Sequence, residues 1–464
     1  MKKILFLVFV SLLLLSVLGV MHFAVQVKAE PKTIYVDSGN VGDPLEDGSF
    51  LHPFDKIQDG VDAAVPGDTV FAFGGTYYEW NVVLDKDNLS LVGENKDNTV
   101  IDGMNYGWIL KITAQNVTVT GFTIQKSSIG TAGVFLNHAT GSKIGDNIIK
   151  DHDSGIYSAY SNGNVIENNW VSDNYAGVIL SSYCGENRIS NNVAIGNTRG
   201  IDLSHHAHHN AIRNNKIFQN TYGFSISHGN NSIFGNQIVD NHVGIYEDLL
   251  TGPAQGYRVY HNNFINNTKQ IDLRNQSVNI WDNGLEGNYW SDYGGTDFDQ
   301  DGIGDIPNAI NANNTDHFPL MGIYSDFPVT WEEKIYHTTT ICNSSISAFK
   351  FDQVNRMIRF NVTGEEGTGF CRVCIPHDLM GPPYTVTVDG YSPQYVNYTL
   401  YDNGTHRWIY FTYLHSTREV TIIPEYPTGT SMLLLLIMLT VAIAIYKRRL
   451  FKNTNCACKA RNIK

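Results

Sequence analysis

Five near-copies of one phrase follow each other along the middle of this chain. They read NVIENNWVSDNYAGVIL from Asn164, NRISNNVAIGNTRGIDL from Asn187, NAIRNNKIFQNTYGFSI from Asn210, NSIFGNQIVDNHVGIYE from Asn231 and RVYHNNFINNTKQIDL from Arg258. Aligned on Asn169, Asn192, Asn215, Asn236 and Asn262, the copies are spaced 23, 23, 21 and 26 residues apart. A second asparagine column keeps step at Asn174, Asn197, Asn220, Asn241 and Asn267. A period this short, made of runs too brief for helices, makes each copy one coil of a solenoid. Apolar residues alternate within a copy (Ile166, Val171, Val178 and Leu180 in the first), which is strand periodicity. Gly and Asn between the runs supply left-handed turn conformations. Coils stacked at ~4.8 Å bring equivalent positions into register, so a buried Asn can bond to the Asn above and below it. The expected fold is all-β: a right-handed parallel β-helix followed by a small antiparallel β-sandwich.

The ends read differently. Lys2 and Lys3, an apolar run from Ile4 to Val20 and the small-residue site Val27-Lys28-Ala29 predict a secretory signal over 1–29. Thr428 to Tyr446 is uncharged and apolar, and seven basic residues follow it with no acid. This pattern predicts a membrane-spanning helix with a cytoplasmic tail, 447–464, and the preceding chain outside. The whole chain carries a formal charge of −13, with 32 basic and 45 acidic residues. Ten of the basic residues lie in the two end segments, leaving 22 against 45 and a net charge of −23 for the part between. Such a surface disfavours nucleic acid and suits a cation-rich exterior. Ten Asn-x-Ser/Thr sequons accompany it, of which Asn343, Asn361, Asn397 and Asn403 are the expected glycan sites. Six cysteines are too few for a disulfide scaffold. Cys371 and Cys374 face opposite ways on one strand, so at most one of them pairs readily with Cys342.

Before the repeats, Ile57 to Ala64 is the one short helix expected, with Ile57, Val61 and Ala64 on one face to plug the solenoid's end. The β-helix with this cap is expected over 30–290 and a turn-rich cap or linker over 291–329. Alternating runs between 336 and 423 then predict a sandwich over 330–423.

The N-terminal entry, the Asn/Gly coils and the ending GNYWSDYGGTDFDQDGIGDIP together resemble the NosD-like right-handed β-helix proteins, whose repeats are shared with carbohydrate-binding and sugar-hydrolase proteins of the pectin-lyase fold. Pro424-Glu425-Tyr426-Pro427, the apolar run and the basic cluster resemble the PEF-type tails of archaeal surface proteins. The resemblance covers about 33–322 and implies a fold; the same coils carry lyases, hydrolases, epimerases and non-enzymatic surface proteins.

Three constellations offer chemistry. Asp297, Asp299, Asp301 and Asp305, with Gly302 for a sharp turn and a backbone carbonyl near Ile303, match a loop that wraps Ca²⁺ in hard oxygen ligands, as in thrombospondin type 3 and dockerin repeats. The expected role of that calcium is structural. His205, His206, His208 and His209 crowd one turn and offer nitrogen ligands for copper or zinc. The NosD-like resemblance implies a copper-handling accessory as one reading of them. Third, the repeat register predicts an outward row of Phe135, Tyr157, Ile179, Asp202, Ser225 and Tyr246. Beside it run Asn137, Ala159, Ser181, Ser204, Ser227 and Asp248, then His138, Tyr160, Ser182, His205 and His228. Tyr157, Ser204 and Tyr246 would contact an extended sugar chain. Asp202 and Asp248, two coils or ~10 Å apart, with His228, would serve a hydrolase or lyase. None of the three rows holds an Arg or Lys, which disfavours uronate elimination. The leading expectation is a membrane-anchored cell-surface protein that binds envelope or extracellular glycans, alone or with other surface-layer proteins. A polysaccharide hydrolase or lyase and a copper-handling accessory stand as alternatives.

Overall fold

The computed structural model describes residues 30–227, 229–248, 253–274, 276–389, 393–425 and 436–448. From Thr33 to Trp290 the chain winds into a parallel β-helix with three faces of 11, 10 and 9 parallel strands. One coil shows the plan: Val165–Glu167 lies on the first face, Trp170–Ser172 on the second and Ala176–Ser181 on the third. Its inward residues Ile166, Val171, Val178 and Leu180 join one continuous core that runs from Ile34 to Trp290.

The corners explain why asparagine recurs. A left-handed residue precedes each corner between the first two faces, at Asn168, Asn191 and Asn214 (φ 58°, 57° and 56°). The next residue turns its amide inward. The Asn192 backbone N–H and its Nδ2 both donate to Asn215 Oδ1 at 2.9 and 3.0 Å, while Nδ2 also reaches the Ile166 carbonyl at 2.8 Å. Each buried amide therefore satisfies its own coil and both neighbours. This second-corner column extends from Asn147 to Asn288. The Asn174 column follows the same rule. A third column not singled out from the sequence, Asn164, Asn187, Asn210 and Asn231, guards the remaining corner.

Non-asparagine residues close two of the ladders. His152 heads the Asn174 column, accepting the Ser127 N–H at Nδ1 and donating from Nε2 to the Ile124 carbonyl. Burial lowers its pKa to about 4, so it sits there neutral. Asp316 ends the Asn288 column, accepting from the Asn288 N–H and the Trp290 indole; burial raises its pKa to about 6. After the third corner a glycine recurs at 155, 177, 200, 223 and 244. A Cβ on Gly177 would lie 2.5 Å from the Gly200 carbonyl oxygen, and one on Gly200 would lie 2.6 Å from that of Gly223. The coils meet too closely there for any side chain.

The helix Ile57–Ala63 buries Ile57, Gly60 and Val61 over the open first coil. Its free Ile57 and Gln58 N–H groups donate to the Glu79 carboxylate at 2.6 and 3.0 Å.

The C-terminal sandwich packs two five-stranded antiparallel sheets around Phe360, Val373, Ile409, Phe411 and Val420. Its first strand, Ile323–Trp331, begins within the last seven residues of the segment expected to be linker and pairs along its whole length with Lys334–Cys342. Two short strands near the end of this domain part company: Pro393–Tyr395 joins one sheet and Tyr398–Asp402 the other.

The expected membrane anchor is not supported. Among the described residues no helix is long and apolar enough to cross a membrane. The apolar run is described from 436 onward, as a helix over 436–448. The signal expected over 1–29 and the tail after 448 lie outside the described residues.

Candidate functional site on the third face

The outward row is in the register expected. Phe135, Tyr157, Ile179, Asp202, Ser225 and Tyr246 stand side by side on successive coils, and Asp272 continues them. Their side chains are not a uniform wall. At one end Trp108, Phe135 and Tyr157 stack, with ring centroids 4.3 and 5.3 Å apart. At the other Tyr222 and Tyr246 stack at 4.3 Å. The stacking consumes the ring faces within each group and leaves the groups as two banks. Three coil rises, about 14 Å at ~4.8 Å each, separate the Tyr157 coil from the Tyr222 coil, with Ile179 and Asp202 on the two coils between and Ser225 beside Tyr222.

This stretch holds a charged centre. Arg199 bridges the two expected carboxylates, with Nη1 2.6 Å from Asp202 Oδ2 and Nη2 3.2 Å from Asp248 Oδ2. Its guanidinium also lies 5.8 Å from the Tyr175 ring centre. Asp202 is 3% exposed, and burial raises its pKa against the opposing pull of Arg199. Behind Asp248, Arg274 donates to the Asp248 carbonyl at 2.6 Å and pairs with buried Glu247 at 3.2 Å. Asp202 and Ser225 are buried side by side on adjacent coils, where the Ser225 hydroxyl together with Arg199 partly offsets the effect of burial on the Asp202 carboxylate.

Arg199 lies outside the three rows read from the sequence, three positions before Asp202 on the same strand, yet it reaches their carboxylates. Strict alternation would turn Arg199 inward with Ile201. Gly200, pressed against the next coil, stands between them, and Arg199 instead reaches Asp202 on the outer side. Tyr222, aligned with Arg199 on the next coil, was missed for the same reason. Ser204 is buried in the turn beside Asp202, and His228 lies outside the described residues. The third outward row slips by one residue: Tyr160 stacks on Tyr183 rather than lying over Ser182, and Tyr183 stacks on His206.

That slip disperses the histidines. His205, His206 and His209 adopt left-handed conformations in the turn. His206 is committed to Tyr183, and His208 Nδ1 bonds to the His206 carbonyl at 2.9 Å. The four do not converge on one point. Among the described residues, Asp297, Asp299 and Asp305 are the one group of three or more His, Cys, Asp or Glu whose ligand atoms gather within 4.8 Å.

The acidic loop is therefore smaller than expected. Asp301 faces away from the trio: its Oδ2 lies 3.0 Å from Arg372 of the sandwich, and its Oδ1 accepts the Ile303 N–H. Ile303 packs with Leu320, Tyr324 and Ile341 in a small apolar cluster. Arg372 continues to buried Glu286, which also accepts from the Trp408 indole at 2.9 Å and pairs with His261 at 2.9 Å. Burial opposes ionisation of Glu286, but the His261 bond and the Arg372 charge hold its pKa below the ordinary range. One carboxylate thus joins the last coils to the sandwich.

With this geometry in hand, residues 88–295 match the family described as periplasmic copper-binding protein NosD. Over those residues the β-helix is NosD-like. It is 39% identical over 83 residues to a probable ABC transporter binding protein NosD of Pseudomonas aeruginosa, a match covering 18% of this chain and 19% of that one. A protein of the same description from Stutzerimonas stutzeri is 38% identical over 88 residues, again 18% and 19%. The NosD-like match spans about a fifth of the length of these relatives. Among solved structures, pectate lyase Pel9A is similar at 14% identity and a TM-score of 0.41, over 55% of this chain and 81% of that one.

Proposed function

We propose that the third-face cleft binds an extended neutral polysaccharide. The observation that carries this reading is the pair of aromatic banks on one face, Phe135 with Tyr157 and Tyr222 with Tyr246, flanking the Arg199–Asp202–Asp248 cluster. Hydroxyl groups can both donate to and accept from such a cluster. A uronate chain would meet Asp202 and Asp248 with only Arg199 to offset them, so charge favours a neutral sugar. The hexose repeat is similar in length to the ~4.8 Å coil rise, which lets successive residues meet successive coils. The test is a glycan array on neutral and acidic polysaccharides with three variants. Tyr157→Ala and Tyr246→Ala should each weaken binding and leave the fold intact, as substitutions outside the core usually change stability by only about ±0.5 kcal/mol. Arg199→Ala should abolish binding. Equal binding by all three and the parent would remove the cleft from consideration.

A hydrolytic reading of the same site is favoured by one observation, the burial of Asp202 that raises its pKa toward use as an acid. Reducing-sugar release lost in Asp202→Asn, with binding kept, would establish it; no release by the parent would leave a binding protein.

The acidic trio is the proposed seat of a structural Ca²⁺. Three carboxylates within 4.8 Å of one another suit a hard cation, and their mutual repulsion is relieved by one. Copper handling through His205, His206, His208 and His209 would require that turn to rearrange, because His206 and His208 are engaged elsewhere.

A further inference from the structure

We infer that Cys342 and Cys371 form a reversible cross-strand disulfide within the sandwich, a modification site independent of the third-face cleft. The two residues lie directly opposite one another where Lys334–Cys342 pairs antiparallel with Thr368–Pro376. Directly opposed residues point to the same side of a sheet, with Cα atoms about 4.5 or 5.5 Å apart, inside the separation a disulfide spans. Both side chains belong to the sandwich core, at 1% and 0% exposure, and both are thiols in the structure. Cys374, three residues on, points to the other surface, toward Glu286, and cannot compete. Cys184 is buried far away in the solenoid core.

The two sulfurs are also unequal. Burial opposes ionisation of Cys342, but hydrogen bonds from Cys371 and the Tyr413 hydroxyl bring its pKa below the ordinary range. Burial and the neighbouring Cys342 push Cys371 up. Cys342 is thus the natural attacking thiolate and Cys371 the resolving thiol. With a small-molecule disulfide such as oxidised glutathione, Cys342 thiolate attacks one sulfur and releases one glutathione thiol. Cys371, losing its proton, then attacks the mixed disulfide at Cys342 and releases the second. The protein loses two protons and two electrons, which reduce the glutathione disulfide to two thiols. Both cysteines are buried, so the exchange proceeds during folding or a local opening of these strands.

The location gives the bond a consequence. Cys371 stands between Phe370 and Arg372, the two residues packed against Gly302 of the acidic loop, and Arg372 pairs with Asp301 and Glu286. A staple here would hold the strand that carries the contact between sandwich and solenoid.

The test equilibrates the purified chain in glutathione buffers of graded oxidised-to-reduced ratio, quenches by alkylation under denaturing conditions and maps peptides without reduction. The expected product is a single Cys342–Cys371 linked peptide, lighter by two hydrogens than the pair of thiols, with Cys184 and Cys374 alkylated. The oxidised form should melt at a higher temperature than the reduced form. That difference should vanish in Cys371→Ser and persist in Cys374→Ser. If Cys371→Ser fails to fold, Cys342→Ala supplies the same comparison. Alkylation of both Cys342 and Cys371 at every ratio, or a link from Cys342 to Cys374, would overturn the inference.

Discussion

A single asparagine in this solenoid serves three coils. Asn215 accepts at Oδ1 from the Asn192 N–H and Nδ2, and donates from Nδ2 to the Ile189 carbonyl and Asn236 Oδ1. Asn215→Leu would leave each of these buried partners short of a bond, at about 1–3 kcal/mol per group. A large fall in melting temperature is expected, and an unchanged one would mean that the column does not hold the stack. Glycine is equally constrained, though by space: Gly200→Ala would drive a methyl group into the Gly223 carbonyl and should destabilise the protein as severely. His152 adds a pH dependence. Its folded pKa of about 4 lies below the ordinary 6.5, so between those values the unfolded chain binds the proton and the folded one does not. Stability from this group is full above pH 6.5 and is lost as pH falls toward 4, by about 3 kcal/mol. Asp316, raised to about 6, works in the opposite sense, its contribution falling as pH rises from 3.8 to 6. His152→Asn, which restores the residue used elsewhere in the column, should therefore lose less stability than the parent between pH 6.5 and 4 in thermal melts. Equal losses would mean that His152 is not held neutral.

At the scale of elements, the repeat made the solenoid legible because each strand is bounded by its own corner amide and each buried face by its own alternation. The register of Phe135, Tyr157, Ile179, Asp202, Ser225 and Tyr246 followed from that spacing alone. What was illegible broke the alternation. Arg199 lies across Gly200 from Ile201, and Tyr183 displaces Ser182 from its stack. The strand Ile323–Trp331 was hidden by Pro328 and polar residues, since much of its side-chain surface remains outside the core. The Asp301–Arg372 pair joins residues 71 apart, beyond the reach of any local pattern. The junction these elements form can be tested by limited proteolysis with and without EDTA. Removing a cation from Asp297, Asp299 and Asp305 should expose new cuts between 291 and 320, and identical digests would exclude a structural Ca²⁺. Arg372→Leu should open the same segment even with calcium present, because it leaves Glu286 buried with its ion pairing reduced.

For the whole molecule, a continuous core and three amide ladders build a stiff rod, and the sandwich is joined to its last coils through Glu286. The rod's third face carries two aromatic banks three coil rises, or ~14 Å, apart, with the Arg199–Asp202–Asp248 cluster beside them. A surface of this kind reads length. The most direct test is calorimetric titration of the parent protein with a series of neutral oligosaccharides of increasing length, cut from the polysaccharide that binds best. Affinity should climb through the first three or four sugar residues, level off once the cleft is spanned, and be absent at every length in Arg199→Ala. Affinity independent of length, or equal in the parent and Arg199→Ala, would contradict a glycan-binding cleft on the third face.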